Sequence, residues 1–538
     1  MKLVLVAIHI EPSPRALPLG PAMLASALRD TFGEVVRTWV VDAFVAEPPA
    51  ACAARILALG PEAVGFSMYV WNRTQTLAIA ALLKAARPGL ILFAGGPEAT
   101  ADRAAIQADP SMDFVLPGEG EVLIVEAVQR LLDGATPEAI AAWAQPAPVQ
   151  DLAALPSPYL DGTLRPADYG GALWELSRGC PFTCDFCFEA RGTAGTRRIP
   201  MARVEAELAL FEAAGIQEVF VLDPTFNYQK VQAKQVLRLI AAKASGTHFF
   251  FEVRSEFLDR EMASLFAAIH CTLQIGLQSA HDDVLRNISR SFDAEDFEAK
   301  ILLLHEAGVP YGFDLIYGLP GDSLEGFRES VDFAMGLVPN HLDIFRLSVL
   351  PGTRLAETAA GLELAYEAAN PYQVLASPSF SAQDMAQAGR IAHGCDALYN
   401  HGRAVPWFGM LLGPLDLPPS GVFQAFADWL DTHPGAEPIE TQRSFFQSQF
   451  EARGEAVLGA LAADVIACFG HSSALLDGPG DEAAPPVRRA SFHHDPRGIM
   501  ALIEAGTTGL EDLAFSVPLQ PCEAEFTLAE GELVLRVL

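Results

Sequence analysis

The chain has 538 residues and a formal net charge of −31, from 36 basic and 67 acidic residues, and 51% of it is apolar. That length predicts about two to four domains, with ample apolar surface for packed cores. The acidic balance disfavours a nucleic-acid substrate, whose phosphates call for a basic footprint; the longest basic clusters are the pairs Arg197-Arg198 and Arg488-Arg489.

Residues 1–9 form an apolar run with no small-residue cleavage site, so they read as a buried strand and not as a signal peptide. No apolar run approaches the roughly 20 residues that a membrane span needs, and the expected location is the cytoplasm. Strands are expected at 4–8, 35–42, 63–67, 90–94 and 114–116, with helices at 19–32, 74–87 and from about 120 to 132. This alternation predicts a Rossmann-like, doubly wound parallel sheet within 1–150. Ligands of such sheets sit beyond the carboxyl ends of the strands, where the loops Gly95-Gly96-Pro97 and Pro117-Gly118-Glu119-Gly120 fall. Glycines and prolines break any long element over 133–170, and 151–170 reads as a linker.

Residues 171–375 alternate again. Strands are expected at 173–177, 218–222, 249–254, 272–276, 311–317 and 342–348, with helices at 203–214, 231–244, 294–307 and 324–336. This predicts a second α/β unit, of barrel or part-barrel type, whose polar strand ends form the active-site rim. Residues 376–538 read as mainly helical, with helices at 383–401, 421–432 and 443–469. A loop is expected at Gly478-Pro479-Gly480-Asp481 with Pro485-Pro486. A terminal hairpin pairs 523–528 with 532–538 through Ala529-Glu530-Gly531.

Three of the eight cysteines, Cys180, Cys184 and Cys187, lie in a C-x3-C-x2-C cluster. In a large chain without a secretion signal, a cysteine cluster points to metal or redox chemistry, not to disulfides. Three thiolates at this spacing suit three irons of a cubane iron–sulfur cluster and leave the fourth iron open. The rival is a structural zinc site, which wants four ligands in paired halves; here the second half is missing. Cys395, Cys468 and Cys522 are spaced as ordinary buried thiols.

The segment Ser177-Arg178-Gly179-Cys180-Pro181-Phe182-Thr183-Cys184-Asp185-Phe186-Cys187 resembles the signature of radical S-adenosylmethionine enzymes. The resemblance implies a partial (β/α)6 barrel over 171–375 and a 4Fe-4S cluster on the three cysteines. It further implies S-adenosyl-L-methionine on the open iron, cleaved by one electron to a 5′-deoxyadenosyl radical. An electron donor such as flavodoxin or ferredoxin is implied as partner. By the same resemblance Phe186 lies near the adenine, and Asp223 and Thr225 near the amino group, although Leu222-Asp223-Pro224-Thr225 departs from the usual Gly-Gly-Glu. Glu252 and Arg254 fall near the carboxylate, Gln274 and Gln278 near the ribose, and Asp314 on the adenine side, before the glycine turn Gly318-Leu319-Pro320-Gly321. The rival reading of each is a structural polar residue in a strand.

Residues 1–150 resemble the cobalamin-binding domain that precedes the barrel in one branch of this family. The segments that carry the resemblance are Leu17-Pro18-Leu19-Gly20, Gly95-Gly96-Pro97-Glu98 and Leu116-Pro117-Gly118-Glu119. Leu19, Gly20, Gly95, Gly96, Pro97, Glu98, Gly118 and Glu119 are the implied cobalamin contacts, since glycines admit close backbone approach and helix starts suit phosphate. The rival is an ordinary Rossmann-like domain with a nucleotide or nothing bound, although no G-x-G-x-x-G follows the first strand. The D-x-H-x-x-G motif that ligates cobalt elsewhere is missing. The lower face of the cobalt is then expected against Ser67, Tyr69, Trp71 and Asn72, for which core packing is the rival.

Together these resemblances imply a cobalamin-dependent radical methyltransferase acting on an unactivated carbon, or a phosphinate, of a small molecule or peptide, through methylcobalamin. The alternatives are a non-methylating enzyme for cyclisation, ring contraction or redox rearrangement, and a cobalamin carrier or sensor. Residues 376–538 are expected to cap the barrel and shape the substrate pocket.

Overall fold

The computed structural model describes the chain except residues 190–194, 245, 436, 477–486 and 530–531. The expected loop at Gly478–Asp481 with Pro485-Pro486, and the hairpin connection at Glu530-Gly531, lie outside the described residues. The fold divides into two compact units. The first comprises Met1–Gly276, Leu285–Pro310 and Leu347–Pro378, and the second Leu277–Val284, Tyr311–Arg346 and Ser379–Leu538.

The first unit opens with five parallel strands: β1 (Lys2–His9), β2 (Arg37–Phe44), β3 (Ala63–Ser67), β4 (Ile91–Gly95) and β5 (Phe114–Val115). Their near-continuous apolar runs follow from burial on both faces, as parallel strands require. The order is β2-β1-β3-β4-β5, which reverses between β1 and β3, so the loops after those two strands flank the switch point where ligands of such sheets sit. One face packs Val4, Val6, Val64, Phe66 and Leu92, and the other Leu3, Leu5, Phe93 and Phe114. Each such side chain contributes about 1.5–3 kcal/mol on full burial. The helix Pro49–Ala58 between β2 and β3 escapes the sequence reading; it begins in Pro48-Pro49 and is half alanine.

The second sheet contains β6 (Gly171–Trp174), β9 (Glu218–Val221), β10 (His248–Val253), β11 (Cys271–Gln278), β12 (Tyr311–Tyr317) and β13 (His341–Arg346), while a short ribbon, β7 (Ser177–Arg178) with β8 (Arg197–Arg198), stands apart from it. The order is β13-β12-β11-β10-β9-β6. Pairing is parallel along β6, β9, β10 and β11, and between β12 and β13. Five strands match the expected positions; the first, expected at 173–177, ends at Trp174, with Ser177 in β7, and the division into units runs through β11. Along β9 and β10, Val219, Val221, Phe249, Phe251 and Val253 are buried. The alternate residues Phe220, Phe250 and Glu252 share the opposite face, by the period of two.

In the second unit, the helix expected over 443–469 is two helices, Pro438–Ala452 and Ala456–Leu476. The break falls at Gly454, whose φ of 81° stops a helix. The terminal hairpin pairs β17 (Leu519–Ala529) with β18 (Glu532–Val537). A third strand, β16 (Arg488–His494), joins it antiparallel, and its polar, His-rich sequence hides it from a pattern reading. The expectation that no run suits a membrane span needs correction. Helix Ala456–Leu476 meets that test by length and composition, but 61% of its most apolar window is buried in the structure. Its Asp464 is fully buried and accepts the backbone N–H groups of His493 and His494 at 2.9 and 2.8 Å, which marks it as a core helix.

Candidate functional site

The cysteine loop grows out of β6 in the first unit. Asp223, just past β9, ties down its entry. One carboxylate oxygen accepts the N–H groups of Leu176 and Ser177 at 2.9 Å each, and the other accepts the Ser177 hydroxyl at 2.7 Å. The ribbon β7–β8 follows, and Gly179 turns the chain at φ 88°, a value that favours glycine. Beyond it the Cys187 N–H donates to the Cys184 carbonyl at 3.1 Å, closing a turn. Asp185 pins the middle of the loop, its N–H on Ile288 O at 3.1 Å and its carbonyl accepting from Leu355 N at 2.8 Å.

All three thiols are free and half-buried. Burial pushes the Cys180 thiol up and the Cys187 thiol to about 11. A coordinating metal reverses this by deprotonating the thiol outright. Among the described residues no three His, Cys, Asp or Glu side chains converge on one ion position; in a cubane each thiolate holds a different iron, so convergence on one point is not required. Arg290 lies beside the Cys184 sulfur and its guanidinium donates to Gly276 O at 2.7 Å, while its buried Nε has no partner among the described residues. A buried cation beside three thiolates suits an anionic cluster, and the residues therefore fit that group.

Thr225 lies beside the Cys180 sulfur, and its hydroxyl donates to Pro224 O at 2.8 Å. Arg254 lies with its guanidinium carbon 3.8 Å from the Phe182 ring centroid and pairs with Glu256 at 2.5 Å. Asn227 brackets the Arg254 backbone, accepting its N–H at 3.0 Å and donating to its carbonyl at 2.8 Å. Thr225 and Arg254 are thus brought to the cysteine loop, and Phe186 lies half-buried within it. Glu252 and Gln274 are register partners on β10 and β11, on the sheet face where the Arg15 guanidinium stacks 3.8 Å over Phe220. In the second unit, Gln278 is buried with φ 69° and an unpartnered Oε1, and Asp314 is half-buried on β12.

The expected cobalamin contacts cluster at the strand ends of the first sheet. Asn72 is fully buried and organises the switch point. Its amide donates to Ile8 O and Ser67 O at 3.1 and 3.0 Å, and its carbonyl accepts from Tyr69 N at 2.9 Å. Tyr69 and Trp71 stack at 4.3 Å, and Trp71 stays 42% exposed, which leaves apolar ring surface for a ligand. Gly96, at φ 96°, lets this loop meet the next one, since a Cβ there would lie 2.8 Å from Met68 O. Gly95 lies close to Leu116 O, Gly20 faces the Ser67 hydroxyl, and Leu19 is buried. Pro97 begins the short helix that carries Glu98. The Gly118 N–H donates to Thr100 at 2.9 Å.

Two charged networks escape the sequence reading. Buried Glu98 accepts from Arg73 at 2.7 Å and from the Tyr372 hydroxyl at 2.5 Å. Glu119 pairs with Arg178 at 3.3 Å and with Arg197 at 2.9 Å. Arg178, Arg197 and Glu119 each stood out in the sequence for another reason, and nothing there paired them.

Comparison with known proteins agrees with this arrangement. The family model for the B12 binding domain matches residues 7–128, and that for the Radical SAM superfamily matches 174–334. The two models match separate stretches, each less than a third of the chain, in the order of a B12-binding domain followed by a radical S-adenosylmethionine domain. The two matches imply a 4Fe-4S cluster with S-adenosyl-L-methionine, and cobalamin. The cobalamin-dependent radical SAM methyltransferase TokK of Streptomyces tokunonensis is 27% identical over 331 residues, covering 55% of this chain and 48% of TokK. The 2-(S-pantetheinyl)-carbapenam-3-carboxylate methyltransferase of Streptantibioticus cattleyicolor is 27% identical over 325 residues, 54% of this chain and 47% of its own. The chain thus spans about half the length of these curated relatives. The fold resembles the radical S-adenosylmethionine methyltransferase TsrM of Kitasatospora setae, with TM-score 0.56, 20% identity, and coverage of 68% of this chain and 77% of that one. It also resembles the cobalamin-dependent S-adenosylmethionine radical enzyme OxsB, with TM-score 0.59, 14% identity, and coverage of 89% and 82%.

Proposed function

We propose that the protein is a cobalamin-dependent radical methyltransferase that alkylates an unactivated carbon, or a phosphinate, of a small molecule or peptide. The observation that carries this reading is one compact unit holding both the cysteine loop and the strand-end loops of the B12-matching sheet. The bound groups would supply one-electron cleavage of a sulfonium and a transferable methyl group; the chain supplies binding and position.

In this reading Cys180, Cys184 and Cys187 hold the cluster, with Arg290 offsetting its negative charge. Arg254 presents a guanidinium to the carboxylate of S-adenosyl-L-methionine, Thr225 lies on its amino side, and Glu252, Gln274, Gln278 and Asp314 line its nucleoside. The exposed face of the Tyr69–Trp71 stack would hold the corrin by apolar contact. The glycines at 95, 96 and 118 admit its tail. Residues 1–150 are assigned to cobalamin, 151–170 to a linker, 171–375 to the radical barrel and 376–538 to a cap over the substrate. A flavodoxin or ferredoxin serves as electron donor, and the free cysteines suit a reducing cytoplasm.

The test is incubation of the reconstituted protein with methyl-deuterated S-adenosyl-L-methionine, cobalamin and a reductant. Label in the corrinoid fraction together with S-adenosylhomocysteine supports methyl transfer. 5′-Deoxyadenosine alone supports a non-methylating radical reaction, and neither product refutes both.

A further inference from the structure

We infer that Glu119 is a positioning residue that clamps both ends of the cysteine-bearing segment to the B12-matching sheet and so sets the spacing of the two cofactor loops; the inference rests on the proposed two-cofactor function. Arg178 on β7 and Arg197 on β8 are register partners, and the segment between them carries all three clustered cysteines. Both guanidinium groups converge on one carboxylate. Glu119 Oε2 accepts from Arg178 Nη1 at 3.3 Å, from Arg197 Nη1 at 2.9 Å and from the Val149 N–H at 2.8 Å, and its Oε1 accepts from Arg197 Nη2. Arg178 binds two further carboxylates, Glu121 at 2.5 Å and Glu175 at 2.8 Å.

The clamp continues into the first sheet. Glu119 follows Gly118, whose N–H donates to the Thr100 hydroxyl, and that hydroxyl donates to Gly96 O at 2.8 Å. A short chain of polar contacts therefore links the Gly95-Gly96 loop to the stem of the cysteine segment. The side chains of Arg178, Arg197 and Glu119 are only 10%, 16% and 22% exposed. A buried charge cluster is weak evidence of net stabilisation, and its best-attested use is register. The planar guanidinium fork fixes direction as well as distance, which suits two loops that must hold their ligands at one separation.

The two arginines differ in what remains without Glu119. Among the described residues, Arg178 keeps Glu121 and Glu175, whereas the Arg197 side chain keeps its bond to the Val149 carbonyl. Release would therefore be lopsided, freeing the β8 end more than the β7 end.

The test uses the full chain, with cluster and cobalamin reconstituted, as wild type, Glu119→Gln and Arg197→Gln. Glu119→Gln is expected to keep wild-type iron content, and products are compared at saturating cobalamin, because Glu119 is also an expected cobalamin contact. Amide exchange over residues 195–199 should quicken by about tenfold or more on loss of the charge-assisted bonds, with a smaller change over 177–187. The ratio of S-adenosylhomocysteine to 5′-deoxyadenosine should fall in parallel, because methyl delivery needs both cofactors in register whereas reductive cleavage needs only one. Arg197→Gln removes the Val149 bond as well, so exchange over 195–199 should quicken at least as much, with little change over 177–187 because Arg178 keeps Glu119. Unchanged exchange and an unchanged ratio overturn the inference. So does faster exchange spread evenly over the first unit, including helix Leu19–Phe32, since that marks general destabilisation. A wild type that makes neither product removes the proposed function, while the exchange pattern still decides whether Glu119 clamps the segment.

Discussion

Asp223 offers a sharp division between scaffold and ligand contact. Its carboxylate is 5% exposed and accepts three hydrogen bonds, two of them from the backbone at the entry to the cysteine loop. Asp223→Ala would leave the N–H groups of Leu176 and Ser177 buried and unpaired, at about 1–3 kcal/mol each. The expected result is a loss of at least about 2 kcal/mol in local stability, read as a fall of roughly 30-fold or more in amide protection at those two residues. Asp223→Asn is different. Its carbonyl can keep both N–H groups, and its amide can donate to the Ser177 hydroxyl, so protection should stay within about threefold of wild type. Burial raises the Asp223 carboxyl from 3.8 to about 6. The folded state therefore holds this proton more tightly than the unfolded state does. Its contribution to stability is largest at low pH, declines as pH rises from 3.8 through about 6, and is level above. The Asn variant should lack that slope. Hydrogen exchange at pH 5 and pH 7.5 with calorimetric titration of S-adenosyl-L-methionine separates the roles. Intact protection with lost binding in Asp223→Asn assigns the residue to the ligand; intact protection in Asp223→Ala refutes the scaffold reasoning.

Cys184→Ala should lose the visible absorbance of the cluster and bound iron while leaving the far-ultraviolet circular dichroism of the sheets unchanged; a persistent cluster would refute the ligand assignment. Arg290→Gln removes the cation beside Cys184. The cluster midpoint potential, set in part by net charge, should become more negative in a redox titration. In the second unit, burial raises the Asp322 carboxyl from 3.8 to about 6, and its Oδ2 has no partner. Stability should thus fall as pH rises through that interval, and Asp322→Asn should stabilise the protein above pH 6 by about 1–3 kcal/mol, measured as a shifted denaturation midpoint.

Much of the fold was legible because its signals are local. Strands such as Ala63–Ser67 and Tyr311–Tyr317 are apolar runs bounded by turn residues, and parallel strands buried on both faces must read that way. β16 was not legible, because Arg-Arg-Ala-Ser-Phe-His-His becomes a strand only by pairing with β17. The long apolar helix Ala456–Leu476 was masked in the sequence by merging with its neighbour across Gly454.

The cysteine spacing by itself pointed to metal chemistry, since three candidate ligands within eight residues need no distant partner. Glycine and proline at the strand ends likewise marked the loops of the first sheet where a ligand is expected. Only the tertiary structure decided which charges serve those loops. Glu119 meets Arg197 from 78 residues away, and Glu98 meets Tyr372 from 274. A charged side chain carries no periodic signal of its partner, because its pairing is set by the approach of two backbones remote in sequence and not by the residues beside it.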